Sequence, residues 1–387
     1  MLWGPKQPGQ RVVRIRATLN RNVSGAVVNE LLASGVRGLH VRAGRTAIVE
    51  QRSGLFGLFS RSLLADDPAE LLTLIVEPGS EAAALNVIMS RGNLDAPGRG
   101  SVFSEDVVLR KAHELCAPNQ VRSRLAPAPA VLHSNLAGLC AIVQRGHGDE
   151  TARIALDTGT GVPGIHFGRG TGVRDKMGLL RIAIPAEKEV ITVPVSSFDA
   201  EMLMDMMIDT GKLDQPGRGF IYLYPLRKGV PNLRVSRGAQ EHAASMEQVI
   251  AALDQITGNS EWRRRTGLDS SDQVGRKYLS GLVEMNLTVD EGKANPLVEE
   301  AMRRGASGAT IARTRHIRAS ARTARSVPPA RESATLIVAE SQVEGITEAL
   351  DDAGAFSDHA HGMLVVHKVQ RAFTYIAPPA PATAAKA

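Results

Sequence analysis

The chain has 387 residues, 43% of them hydrophobic and 22% charged, which is enough apolar material for sizeable cores and too long for one, so two to three domains are expected. No uncharged apolar run approaches the roughly 18 residues of a membrane helix, the first ten residues lack a signal-type apolar core, and Cys116 and Cys140 lie far apart without a CxxC pair. A membrane span, a secretory leader, a disulfide framework and a cysteine-rich zinc site are therefore not expected, and the reading is a cytoplasmic protein whose net charge of +6 favours anionic partners.

In chain order, the Arg/Val alternation at 12–17 reads as a strand, 25–33 as a helix, 38–41 and 71–76 as strands joined by a long loop, and 80–90 as a second helix. Pro118, Pro127 and Pro129 among Ala and Arg mark an extended linker over residues 113–135. Then follow a strand at 139–143, a helix at 149–157, a short strand at 164–167 entering a Gly-rich loop, a strand at 190–195, a Met-rich helix at 199–209 and a strand at 220–224. Residues 239–274 have helical apolar spacing and read as an added connector, and the Pro/Ala-rich residues 377–387 as a disordered tail.

Two of these stretches are copies of one another. Gly92-Asn-Leu-Asp-Ala-Pro-Gly-Arg-Gly100 recurs as Gly211-Lys-Leu-Asp-Gln-Pro-Gly-Arg-Gly219, identical at seven of nine positions, and Ser34-Gly-Val-Arg-Gly-Leu-His40 matches Thr160-Gly-Val-Pro-Gly-Ile-His166 at a similar offset upstream. The repeat thus spans a whole domain. A degenerate third copy is proposed from 282 onward, where Arg304-Gly-Ala-Ser-Gly308 and the stretch Gly354 to Gly362 keep only the outer glycines. Strand, helix, strand, strand, helix, strand is the split βαβ pattern. The expected fold is α+β: three tandem ferredoxin-like βαββαβ modules at 10–112, 136–238 and 275–376.

The second copy resembles the PII signal-transduction proteins, through Gly-Arg-Gly-Thr-Gly-Val at 168–173, the strand at 188–195, and Gly211-Lys-Leu-Asp-Gln-Pro-Gly-Arg-Gly-Phe220. The resemblance implies a trimer of ferredoxin-like subunits, here fused into a pseudo-trimer or assembled as a higher homo-oligomer. It also implies adenine nucleotides such as ATP or ADP in the clefts between modules, and a loop after the second strand that signals to a regulated protein partner. None of Tyr222, Tyr224, Tyr278 and Tyr375 falls in that loop, so nucleotidylation of the kind used by nitrogen-sensing members is not supported.

Independently of the resemblance, uncovered glycine amides beside an arginine suit phosphate oxygens. Gly217, Arg218 and Gly219, with Gly98, Arg99 and Gly100 in the first copy, supply both elements; so do Gly168, Arg169, Gly170 and Thr171, with Gly44 and Arg45 as the shorter first-copy counterpart. Each also has a plain structural explanation, as a turn feeding a strand or as a hinge. Arg227, Lys228 and Arg234 read as solvated surface, and adjacent acids such as Asp66 and Asp67 or Asp351 and Asp352 as loop or helix-end charges.

The arginine-rich stretch 313–325 has no acid and no interleaved aromatic, so a solvated loop or protein-docking arm is favoured over nucleic acid. His359 and His361 would share one face of a strand, with His367 further along, but no third metal ligand is placed, so no metal is assigned. No hydrolase elbow, zinc-protease helix or Walker A loop is found, and only Asp214, with Asp95 as its counterpart, could position water for slow nucleotide hydrolysis. A non-enzymatic sensor of an adenine nucleotide or related small anion is the leading expectation, and a ferredoxin-like scaffold docking acidic partners the alternative.

Overall fold

The computed structural model describes residues 9–53, 60–172, 187–232, 236–237, 276–319 and 326–376. The first unit runs β1 (Gln10–Asn20), α1 (Arg21–Ala33), β2 (Gly38–Ser53), β3 (Ser60–Val76), α2 (Glu81–Gly92) and β4 (Gly100–Ala112). The second runs β5 (Leu136–Gln144), α3 (Gly148–Asp157), β6 (Gly164–Gly172), β7 (Glu187–Ser196), α4 (Ala200–Gly211) and β8 (Gly219–Pro225), followed by the short strands β9 (Lys228–Val230) and β10 (Ser236–Arg237). The third runs β11 (Leu282–Asp290), α5 (Ala294–Arg303), β12 (Gly308–Arg318), β13 (Ala330–Ala339), α6 (Val343–Asp352) and β14 (Met363–Lys368), followed by β15 (Arg371–Thr374).

In every unit the first strand is central. It pairs antiparallel with the third and fourth, and the second strand pairs with the third. Period-two alternation sends one set of side chains to the two helices: Val13, Ile15, Ala17 and Leu19 in the first unit, Leu139, Ala141 and Val143 in the second, and Val283, Met285, Leu287 and Val289 in the third. Each unit therefore has its own core. The opposite faces are buried as well, with Arg14, Cys140 and Glu284 all nearly inaccessible, because the three sheets turn those faces toward one another.

The joins between units run in one cyclic sense. Strand β2 pairs β6 at Arg45 and Thr46, β6 pairs β12 over 169–172, and β12 pairs β2 over 315–318. Past the fourth strands, β9 adds to β4, β15 adds to β8, and the end of β4 pairs β14. Strand edges that would otherwise expose unpaired amides are thus paired with a neighbouring unit.

The repeated turns adopt one geometry. Asn93 and Lys212 sit left-handed at φ 52° and 51°, Gly98 and Gly217 both have φ 74°, and Leu94 and Leu213 plug the helix ends beneath them. Gly100 has φ 130°, and an added Cβ would lie 2.1 Å from the Thr18 carbonyl oxygen, so this glycine is required by the backbone itself.

Several local expectations change. The expected first-unit loop is a hairpin in which β2 and β3 pair as far as Ser53 and Ser60; Asp66 and Asp67, expected as loop or helix-end charges, lie within β3, opposite Ala47 and Thr46. Gly168 to Gly172 form a strand rather than a loop, because β12 supplies a ladder from another unit. Arg313 to Arg318 likewise belong to β12, while 320–325, the 239–274 connector, Arg234 and the 377–387 tail lie outside the described residues.

The 113–135 segment is a packed strap. Asn119 accepts from the Arg37 amide (2.8 Å) and donates to the Gly38 and Ile75 carbonyls (3.0 Å each), and Val121, Leu125, Ala128 and Ala130 pack on the first core. Arg227 and Lys228 are not free surface either: Arg227 pairs with Glu81 (3.1 Å) and Asp106 (2.6 Å) of the first unit, and Lys228 lies 3.6 Å from Glu81. Asn119→Ala removes three side-chain bonds to the backbone, although the Ile75 carbonyl keeps the Asn119 amide (2.8 Å), and is expected to cost about 1–3 kcal/mol in urea unfolding; a loss under about 0.5 kcal/mol would mean that the strap is not part of the cooperative fold.

Candidate functional site

Where the three sheets face one another, the axis is polar. By strand register, Arg14, Gly138 and Glu284 occupy one equivalent position on the three central strands, and Arg16, Cys140 and Asn286 the next. Opposite the first set, on the fourth strands, stand Glu105, Tyr224 and His367. Glu284 accepts from Arg14 Nη1 (2.7 Å) and from the Tyr222 hydroxyl (2.9 Å), so a single carboxylate of the third unit ties in the other two. Arg14 Nε also donates to Glu105 (2.7 Å), Arg16 Nε donates to the other oxygen of Glu105 (2.5 Å), and the Arg16 guanidinium lies 5.0 Å from the Tyr224 ring centre. Gly138 makes room, since a Cβ there would lie 2.2 Å from the Tyr224 ring.

These side chains line a cavity of about 120 Å³ together with His40, Arg42, His166 and Thr310 from the three second strands, and Thr73, Thr192 and Thr335 from the three third strands. The described lining holds three guanidiniums, Arg14, Arg16 and Arg42, against two carboxylates, Glu105 and Glu284. The first two arginines are paired with those carboxylates; Arg42 has the imidazole of His166 as its hydrogen-bond partner (Nη1 to Nε2, 2.6 Å). Four buried nitrogens here have no partner among the described residues: Arg16 Nη2, His40 Nε2, Arg42 Nε and His166 Nδ1. Because His166 Nε2 accepts from Arg42, its Nδ1 carries the proton and is a donor. Unpaired donors around a positive cavity are costly without an acceptor.

Protonation states follow the same imbalance. Burial pushes the Glu284 carboxyl up, but Arg14 and Arg16 outweigh it and hold it at about 2; Glu105 is lowered the same way. Burial, and then Arg16, bring Arg42 down to about 10. Burial lowers His40 and His166 well below 6.5, aided by His316 and Arg42 respectively, and brings His367 and His316 to about 4. The imidazoles are therefore neutral in the folded protein at pH 7.

A second locus lies at the outer cleft between the first two units. Arg45 reaches from β2 to Asp66 (2.5 Å), and across the cleft to Asp149 (2.6 Å) and Glu189 (3.2 Å); Arg218 lies 3.2 Å from His147 at the start of α3. Glu189 already accepts from the amides of Gly146 (2.9 Å) and Gly148 (2.8 Å), where a phosphate at this helix end would bind. The third unit repeats the arrangement, Glu332 accepting from the Ala294 amide (3.0 Å), whereas in the first unit Glu70 accepts from Ser24 Oγ (2.6 Å) and Asn20 caps the helix.

The proposed ligand residues thus divide. Arg45 and Arg218 meet at the N-terminal turn of α3, with Gly217 bonded through its carbonyl to Gln144 (2.9 Å). Gly168, Arg169, Gly170 and Thr171 belong to β6, whose 169–172 segment runs along the third unit, and Arg169 is exposed. Gly44 packs against Ile165 and Leu71, and Gly98, Arg99 and Gly100 form the turn before β4, where the Arg99 carbonyl accepts from the Asn20 amide (2.9 Å). Asp214 is exposed.

The axial groups were missed, although two signals were present. His40 and His166 close the matched Gly-x-x-Gly-x-His stretches, and a Glu-x-x-Thr pattern, Glu70/Thr73, Glu189/Thr192 and Glu332/Thr335, recurs in all three copies. No family model matches this chain, and no curated protein matches it in sequence.

A histidine held near 4 when folded and near 6.5 when unfolded is bound by more protons in the unfolded chain between those values, so its contribution is full above pH 6.5 and lost as pH falls toward 4. Unfolding free energy is expected to drop between pH 7 and 4.5, by up to on the order of 3 kcal/mol for His367 alone. His367→Gln, followed by urea titration across that range, should flatten the profile; an unchanged slope would show that His367 does not carry it.

Proposed function

We propose that this chain is a PII-like regulatory protein, three ferredoxin-like modules closed as a pseudo-trimer, that senses a small inorganic anion at its axis and reports to a protein partner through the segments after its second strands. The observation that carries the reading is Arg42, a half-buried guanidinium whose Nε is inaccessible and which has no carboxylate partner among the described residues, beside three further unpaired nitrogens in a cavity built by all three units. A volume of about 120 Å³ suits an ion the size of nitrate or bicarbonate. The His40, Arg42, His166 and Thr310 side chains that would bind it stand on the second strands, whose mutual pairing joins the units, so occupancy bears directly on those strands.

An adenine nucleotide does not fit that volume. It would have to place its phosphates in the outer cleft at Arg45 and Arg218, displacing Glu189 from the α3 amides and competing with Asp66 and Asp149 for Arg45. The convergence of those two arginines on one helix end supports this second reading, and Arg218→Ala tests it.

Calorimetric titration in a buffer whose only other anions are large organic ones should give one saturable site per chain for nitrate or bicarbonate, and none for ATP or ADP. Arg42→Met should abolish binding while raising the anion-free unfolding free energy by up to about 1 kcal/mol, since it removes an uncompensated half-buried charge. Binding unaffected by Arg42→Met would sink the axial site. Saturable ATP binding lost in Arg218→Ala would replace it with the cleft reading.

Nitrate, which stays ionised throughout, should also bind more tightly as pH falls from 7 to 5.5. An anion beside His40 and His166 raises their depressed pKa values, so binding takes up protons. A flat affinity over that range would exclude both imidazoles from the site.

A further inference from the structure

Away from the axis and the outer cleft, two short stretches meet where the first unit runs into the strap. His113 and Cys116 are three residues apart at the exit of β4, and Asp358 and His361 are three apart in the last turn of the third unit. The Nε2 of His113 contacts Asp358 (2.9 Å), the two imidazole rings stand edge to face at 4.8 Å, and one ligand atom each from His113, Asp358 and His361 lies within 4.8 Å of the others. Cys116 Sγ lies 3.2 Å from the His361 carbonyl oxygen, and the His113 amide donates to the Gly362 carbonyl (2.8 Å).

The ring of His361 is held as a metal-binding ring is held. Its Nδ1 bonds Asp290 (2.7 Å), leaving Nε2 as the ligand atom, and Asp290 is itself fixed by the buried Arg331, whose Nη2 donates to the His361 carbonyl (2.7 Å). His361 is also held at φ 45°, an uncommon conformation for a residue other than glycine.

We propose that His113, Cys116, Asp358 and His361 form a zinc site that clasps the exit of the first unit to the last turn of the third. Two imidazoles, a thiolate and a carboxylate suit Zn²⁺, and with the metal they make a site of zero net charge. A tetrahedral centre with Zn–N of about 2.0–2.1 Å needs neighbouring ligand atoms about 3.3–3.5 Å apart, so His113 and Asp358 open slightly from 2.9 Å, His361 closes in by about 1 Å, and Cys116 turns about χ1. The protons balance: the Cys116 thiol proton leaves to solvent, and the His113 proton moves from Nε2 to Nδ1. That move gives up the bond Nδ1 now accepts from the Leu115 amide (3.2 Å). His361 keeps its Nδ1 proton toward Asp290.

The test uses the full chain, stripped with a chelator and titrated with Zn²⁺ against a chromophoric competitor, then with Co²⁺. One tight site per chain is expected, with tetrahedral Co²⁺ bands and a thiolate charge-transfer band that vanishes in Cys116→Ser. Asp358→Asn, at an exposed side chain outside every core, should weaken Zn²⁺ at least about tenfold and leave the anion titration unchanged. Zn²⁺ binding equal in wild type, Asp358→Asn and Cys116→Ser, or an octahedral Co²⁺ spectrum without the thiolate band, would overturn the proposal.

Discussion

A single buried carboxylate, Glu284, meets all three units, taking hydrogen bonds from Arg14 of the first and Tyr222 of the second. Ions buried at this depth are stable only when paired and fully bonded, and removing one partner of such a set typically costs about 3–5 kcal/mol. The axis therefore dictates which unit faces which. Three copies of one sequence would bring the same residue to each equivalent position; here the positions hold Arg14, Gly138 and Glu284, so a cation, a gap for Tyr224 and an anion meet instead of three like charges. Carrying the three units in one chain is what permits that difference.

The same asymmetry leaves Arg42 over. Its counterparts by register are His166 and Ala312, so only one of the three second strands brings a guanidinium to the cavity at that level, and no carboxylate among the described lining residues stands free to meet it. The outer clefts have the opposite character: Glu189 and Glu332 accept from amides at the start of α3 and α5, and Glu70 accepts from the Ser24 hydroxyl in α1. Donors are thus satisfied internally on the outside of the molecule and left open at its centre, which is the reverse of where glycine-rich arginine motifs direct attention.

Those motifs were legible because they are local. Gly98 and Gly217, Leu94 and Leu213 do the same backbone and plugging work in two copies and keep identical residues, whereas the left-handed position before them is Asn93 in one copy and Lys212 in the other. Arg218 and Arg45, singled out by the same local chemistry, reach the N-terminal turn of α3 from two units, while Arg169 runs along the third unit. Arg14 and Arg16 read as the wet face of an amphipathic strand, and nothing in their spacing distinguishes a face covered by solvent from one covered by two other sheets. His113 and Cys116 are about 240 positions from Asp358 and His361, so their meeting depends on β4 pairing with β14.

What the sequence by itself determined is the repeat, the order of strands and helices within each copy, and the alternation that fills each unit's core, because periodicity and turn chemistry act over a few residues. Only the tertiary structure decided what covers the second face of each sheet. That depends on the cyclic pairing of β2, β6 and β12, a contact between segments more than a hundred residues apart, and it turns an ordinary polar strand face into a buried, positively charged cavity.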